Sequence, residues 1–243
     1  MKIFYISRIK IIFIIFFLTA AAVIGWEGIN TYYNQHSSIV TLEPIYQGSS
    51  DSKDIALTFN VDWGEKVLPD ILKLLSEKKI KATFFITGRF AEKFPDLVKK
   101  INTSEFEIGN HGYSHFHPNS SNEEKNKEEI LKTERAFKKL GVKYVKMYAP
   151  PYGECSPNVV KWANDVGYKT IMWTIDTVDW KNKPADEIVN KVVNGAHNGA
   201  IVLMHPKKAT LEALPTIIDE LKEQGFRFKT ISQIIPEAKG QNR

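Results

Sequence analysis

Cysteine is nearly missing from this chain: Cys155 is the single one among 243 residues. One thiol excludes an internal disulfide framework, a C-x-x-C redox pair and any metal cluster built on several cysteines. A strong charge of either sign is missing too. The formal excess is +5, and Lys2, Arg8 and Lys10 supply three of those charges within the first 26 residues, which hold no acid. The remainder is spread over balanced acidic and basic side chains, too dilute for a phosphate-binding surface, so no nucleic-acid partner is expected. Internal repeats, low-complexity tracts and a Gly-rich phosphate turn are absent as well. What is present is 43% hydrophobic, 12% aromatic and 25% charged, the profile of one packed globular domain.

Long apolar runs are confined to one place. Met1–Lys10 is short and basic, and Ile11–Trp26 is apolar apart from Thr19 and Gly25, the order of a secretory signal. The run has 16 residues, just short of the roughly 20 that a spanning helix needs. Ala20–Ala22 offers small residues for cleavage, yet Val23, Ile24 and Trp26 carry the run past them. Residues 1–26 are therefore read as an uncleaved signal-anchor, with a cleaved signal peptide as the alternative. The basic residues precede the run, which places Glu27 onward outside the cytoplasm. The expected location is the cell membrane with the body of the protein facing outward, or the medium if the segment is cleaved. Residues 27–50 read as a stem or linker with room for one short strand at Ile39–Leu42, and 237–243 as a polar tail.

Between residues 51 and 236 the chain alternates. Short apolar runs of strand character begin near Ile55, Ala82, Phe106, Tyr144, Thr170, Ala200 and Arg227. Between them lie helically spaced sets: Val67/Ile71/Leu74/Leu75, Ile130/Leu131/Phe137, Val159/Val160/Ala163, Ile188/Val192 and Leu214/Ile217/Ile218/Leu221. Ser156-Pro157 reads as an N-cap followed by proline at the first helical position, and Gly141, Gly167 and Gly225 fall where helices should stop. The rhythm predicts an α/β fold, a distorted β/α barrel of about seven parallel strands. A doubly wound open sheet is the alternative.

In such barrels the site forms at the carboxyl ends of the strands. Asn60, Asp62 and Trp63 follow the first run, and His111 and His115 the third. Pro150, Pro151, Tyr152 and Gly153 follow the fourth, Asp176, Asp179 and Trp180 the fifth, and His205 the sixth. His111 and His115 stand four apart; on a helical turn they would share a face and could grip one metal, though such a pair is also met by chance. Asp179 near His205 is either an ordinary ion pair or a carboxylate that fixes the tautomer of a catalytic imidazole. Tyr152 is either a loop-packing residue or part of the site. His36, His117 and His197 read as surface or structural, and Cys155 as a plain thiol.

These residues carry a resemblance. From about Ile55 to Ile235 the chain resembles the NodB-homology polysaccharide deacetylases, a carbohydrate esterase family, and is similar in style to the membrane-anchored deacetylases of spore-forming bacteria. Thr58-Phe59-Asn60-Val61-Asp62 stands where the family has Thr-Phe-Asp-Asp. His111-x-x-Ser114-His115 follows the family's His-Ser/Thr-x-x-His motif loosely. Ala149-Pro150-Pro151-Tyr152-Gly153 matches Arg-Pro-Pro-Tyr-Gly except at its first residue. Asp176-x-x-Asp179-Trp180 and Leu203-Met204-His205 match, and Ala82-Thr83-Phe84-Phe85 is in place.

The resemblance implies a metal-dependent hydrolase that removes N-acetyl groups from N-acetylhexosamine polysaccharide, peptidoglycan or chitin-like oligomers. It implies one divalent metal, zinc first and cobalt or manganese as substitutes, held by His111, His115 and the carboxylate of Asp62. His205, oriented by Asp179, would protonate the departing amine. Tyr152, with Pro151, would hold substrate through its backbone N–H, Trp180 and Leu203 would line the acetyl pocket, and Trp63 would either stack on a sugar ring or pack. Two departures matter. Asn60 stands where the family keeps its base, and an amide cannot accept a proton at neutral pH. Ala149 replaces the arginine expected to orient that base. Asp62 is then either the metal ligand after a one-residue shift or the surviving base. The second functional reading is a catalytically impaired relative that binds cell-wall glycan.

Overall fold

The computed structural model describes residues 25–27, 42–102 and 106–235. The signal segment up to residue 24, most of the stem, nearly all of the short strand expected at Ile39–Leu42 and the tail at 237–243 lie outside the described residues. Among the described residues no helix is long and apolar enough to cross a membrane.

In chain order the elements are β1 (Asp54–Val61), α1 (Leu68–Glu77), β2 (Ala82–Ile86), α2 (Gly88–Lys93), α3 (Pro95–Asn102), β3 (Glu107–Asn110), α4 (Glu123–Leu140) and β4 (Met147–Tyr148). They continue with α5 (Pro157–Asp165), β5 (Lys169–Thr170), β6 (Ile175–Asp176), α6 (Ala185–Gly195), β7 (Ile201–Met204), α7 (Lys208–Glu223), β8 (Arg227–Phe228) and α8 (Ile231–Ile234). The strands pair in parallel in the order β5-β4-β3-β2-β1-β7-β6, with β8 beside the start of β1. This is the expected distorted barrel, left open as a half-barrel between β5 and β6.

The period of two along β1 decides which residues face where. Ile55, Leu57, Phe59 and Val61 point outward into the main core, where Leu68, Ile71 and Leu75 of α1 and Leu214, Ile217 and Leu221 of α7 cover them. Ala56 points inward with Phe85, Met147, Ile171 and Ile201 to fill the barrel. The inward side of β1 ends in Asn60, which is how a strand built for burial delivers a polar group to the mouth. The base of the barrel is closed by α8, through Ile231 and Ile234, and by Ile45. Ile45 N donates to Thr170 O at 2.9 Å and Gly48 N to Gly199 O at 2.8 Å. The end of the stretch read as a stem, Leu42–Ser50, is thus bonded into the domain because the half-barrel needs an apolar plug below.

Helix ends follow the local signals. Ser156 Oγ accepts from Val159 N at the start of α5, and Asn122 Oδ1 accepts from Lys125 N at 2.9 Å at the start of α4. Gly141 closes α4 in the left-handed region, φ 68°, where only glycine is free of Cβ strain. Two features differ from expectation. The stretch between β2 and β3 holds two short helices that gave no periodic signal, because Pro95 divides them after Phe94. The fifth apolar run is split into β5 and β6, with Ile171–Thr174 bending between them.

Candidate active site

A cavity of about 400 Å³ opens at the carboxyl ends of the strands. Of the residues expected from sequence, it gathers Asn60, Asp62, Trp63, His111, His115, Tyr152, Trp180, Leu203 and His205 along its wall. Asp179 and Pro151 are buried and are not among the residues that line it. Gly153 and Asp176, also read at the strand ends, line it too, as does Trp173, which is not expected from the sequence; Asp176 serves its own turn, accepting from Val178 N at 2.8 Å.

One side of the cavity is a fully bonded dyad. Asp179, entirely buried, receives His205 Nδ1 on Oδ1 at 2.7 Å, and His205 N and Thr210 Oγ1 on Oδ2 at 2.7 and 2.6 Å. Burial alone would push this carboxyl up, but the bonds from His205 and Thr210 outweigh it and hold the carboxyl below its ordinary range. A carboxylate can only accept, so His205 Nδ1 carries the proton and Nε2 is the nitrogen available to a ligand. Trp63 lies parallel to the imidazole, ring centroids 5.8 Å apart. The dyad sits beside a strained turn: Val178, a β-branched residue, has φ 57°, a conformation that costs about 1–3 kcal/mol and persists only where surrounding structure imposes it.

The opposite wall carries the paired histidines, and they meet through a loop rather than a helical turn. Gly112 has φ 72° and His115 φ 54°, and the rings come to 5.1 Å between centroids. Glu129, reaching in from α4, holds this loop by accepting from Tyr113 N, Ser114 N and Ser114 Oγ at 2.9, 2.6 and 2.9 Å. His111 Nδ1 donates to Ala149 O at 2.6 Å. Burial and the neighbouring His115 push the His111 imidazole down to about 3, and burial also lowers His115. Both are therefore neutral near pH 7, the form that ligates metals.

The remaining corner departs from expectation. Asn60 is 6% exposed, and its Oδ1 is buried without a hydrogen-bond partner. Asp62 does share the cavity with Asn60, as the strand period requires, but its carboxylate is engaged. Thr87 Oγ1 and Arg89 Nε donate to Oδ1 at 2.9 and 2.6 Å, and Arg89 Nη2 donates to Oδ2. Burial pushes this carboxyl up; the bonds from Arg89 and Thr87 prevail and lower it. Among the described residues no three His, Cys, Asp or Glu side chains are grouped so as to hold a metal ion. The expected set His111, His115 and Asp62 is not found as such a group, and Asp62 is bonded to Arg89 and Thr87. Sequence reading placed nothing at the end of β2, where both partners stand.

Aromatic side chains frame the mouth. Trp63, Tyr152 and Trp180 are 39%, 58% and 49% exposed, large apolar faces left open around a polar floor. Tyr152 is held at φ 58° in the Pro151–Gly153 turn. Its ring stacks on His117 at 3.9 Å and meets His115 edge-on at 4.6 Å. His117, read as surface or structural, is exposed and buttresses the site, with Nδ1 2.8 Å from Glu154 Oε1.

Comparison with known proteins accounts for this set. Residues 47–171 match the family model described as polysaccharide deacetylase. A peptidoglycan-N-acetylglucosamine deacetylase of Bacillus cereus is 37% identical over 199 residues, covering 80% of this chain and 72% of its own. Among solved structures, a carbohydrate esterase family 4 (CE4) pseudoenzyme from Bacillus anthracis superposes with TM-score 0.77 at 40% identity, covering 80% of this chain and 69% of its own. A mutant of that pseudoenzyme with restored enzymatic activity superposes equally well, TM-score 0.77 at 38% identity, covering 80% and 72%. The parallel half-barrel, the ordered site motifs and these matches together place the chain in the polysaccharide deacetylase family, CE4, which holds both peptidoglycan deacetylases and pseudoenzymes.

Proposed function

We propose that this polysaccharide deacetylase homologue binds N-acetylated cell-wall glycan, peptidoglycan before chitin-like oligomers, and deacetylates it slowly or not at all as the chain stands. The observation that carries the proposal is Asn60: a buried amide at the cavity floor, with an unpartnered oxygen, that cannot take a proton from an attacking water. Binding is supported by the aromatic rim. Trp63, Tyr152 and Trp180 offer faces for sugar rings, Leu203 offers an apolar surface to an acetyl methyl, and the cavity volume suits a small group. Deacetylases of this family are generally dependent on a divalent metal. Zinc is the first candidate for this chain, and His111 and His115 are the residues offered to it. The tied carboxylate of Asp62 argues against a complete site.

The second reading, a working hydrolase, is favoured by the dyad. His205 is bonded to Asp179 as a general acid should be, with Nε2 the nitrogen that would take up a proton and pass it to a departing amine. The N-terminal segment, basic before its apolar run, supports a site facing outside the cell membrane, or secreted after cleavage. One measurement decides between the readings: acetate released from N-acetylglucosamine oligomers and peptidoglycan, with and without added divalent metal, alongside calorimetric binding of the same oligomers. Binding without release is expected. Release comparable to that of the Bacillus cereus deacetylase overturns the proposal.

A further inference from the structure

The carboxylate that family resemblance assigns to a metal already holds a cation. Arg89 stands in the first turn of α2, its side chain half exposed, and its planar fork meets both oxygens of Asp62, whose side chain is 8% exposed. Thr87 fixes the arrangement from behind. Its hydroxyl donates to Asp62 Oδ1 and accepts from Phe90 N at 3.3 Å, so the residue that caps α2 also anchors the carboxylate. The backbone then ties this unit to the histidine loop: Gly88 N donates to Gly112 O at 2.9 Å and Arg89 N to Tyr113 O at 3.0 Å. Guanidinium, carboxylate and paired imidazoles are thus parts of one bonded assembly rather than chance neighbours on a rim.

A carboxylate offers roughly four acceptor positions, and three are occupied here by Thr87 and the two arms of Arg89. The bidentate guanidinium pair is the strong, geometrically specific kind. We infer that Arg89 is a built-in cation that keeps Asp62 from serving as the third protein ligand beside His111 and His115, and thereby keeps divalent-metal affinity low. A dication arriving at the two imidazoles meets a fixed positive charge and must displace a bidentate ion pair to gain a carboxylate. The inference goes beyond the glycan-binding reading, and metal binding alone tests it, so each can fail without the other.

The test uses the full chain, stripped with chelator and titrated with zinc by equilibrium dialysis, with cobalt as a spectroscopic probe of the ligand set. Arg89→Leu keeps the apolar stem and removes the fork; zinc affinity should rise by about 10–100-fold, the size of effect that outer partners of metal ligands commonly exert. Adding Asp62→Asn to Arg89→Leu should abolish that gain. Arg89→Gln, neutral and polar, should raise affinity in the same direction and serves if the leucine variant melts early. Equal zinc affinity in the parent and in whichever of these variants remains folded overturns the inference, and so does a gain that survives Asp62→Asn.

Discussion

The two walls of the cavity have been treated differently. On the β6–β7 side, Asp179, His205 and Thr210 form a set in which both oxygens of the carboxylate accept from donors. On the β1–β2 side, Asn60 has a buried oxygen with no partner and Asp62 is engaged by an arginine. The contrast teaches that an acid and a base of one reaction can be independent structures. The proposed acid, His205, is supported by its own strand ends and by the strained turn at Val178, beside a corner where Asn60 offers an amide in place of a proton acceptor.

The largest expected effect breaks the contrast by repairing its weak side. Asn60→Asp places a carboxylate at the floor, and acetate release in the presence of divalent metal should rise by about 10²-fold or more, the usual contribution of a positioned base. A mutant of the similar Bacillus anthracis pseudoenzyme has restored enzymatic activity. In the Asn60→Asp background, His205→Ala should remove about 10²–10⁴-fold, and Asp179→Asn less, acting through the imidazole. If Asn60→Asp lowers activity, and Asp62→Asn lowers it as well, Asp62 is the base and the division of the cavity is wrong.

A smaller effect sharpens the contrast as a matter of stability. Ala149 is 3% exposed and faces the barrel interior with Met147 and Ile171. Ala149→Arg alone buries a guanidinium without a counter-charge and should destabilise the fold by about 3 kcal/mol. With Asn60→Asp as well, the new carboxylate should recover part of that loss. Denaturant titration of the two single variants and the double variant gives the coupling. Strict additivity would show that residues 60 and 149 do not meet, and that the pairing inferred from the family motif is not realised in this chain.

The legible part of the molecule was what local chemistry dictates. Alternation in β1 announced that Asn60 and Asp62 would share a face, Ser156-Pro157 announced α5, and polar residues after apolar runs announced most of the cavity wall. The hidden part depended on distance and on backbone hand. Arg89 finds Asp62 across 27 positions, and no spacing rule points from one to the other. Glu129 lies in the middle of a charged helix face that reads as solvated, yet it is 2% exposed and supports the loop between His111 and His115. A four-residue spacing puts two rings on one face only where the turn is helical, and the segment from His111 to His115 is not helical. The positive φ of Gly112 and His115 brings the rings together by another route. Short helices broken by proline, as at Phe94-Pro95, carry too few turns to show a period.

The smallest effect separates site from scaffold along a single helix. Glu134 lies five residues beyond Glu129 in α4, away from the cavity. It is paired with Lys138 at 2.6 Å and with Lys146, and accepts from Tyr168 Oη at 2.9 Å. Burial pushes its carboxyl up, but the two lysines and the tyrosine outweigh that and bring it to about 2. A carboxyl lowered on folding contributes stability that is complete above its unfolded value near 4.5 and is lost as pH falls toward about 2. The lysine side chains are 62% and 47% exposed, so solvent screens the pairs and the contribution is about 1–2 kcal/mol. Melting curves taken from pH 6 to pH 3 should show the parent losing stability over the lower half of that range and Glu134→Gln losing less. Cavity binding of glycan, measured at pH 6, should be unchanged in Glu134→Gln, whereas Glu129→Gln should weaken it by releasing the loop that carries His115 and supports Tyr152. Weakened binding in Glu134→Gln would mean that the whole of α4, rather than Glu129, holds the site in place.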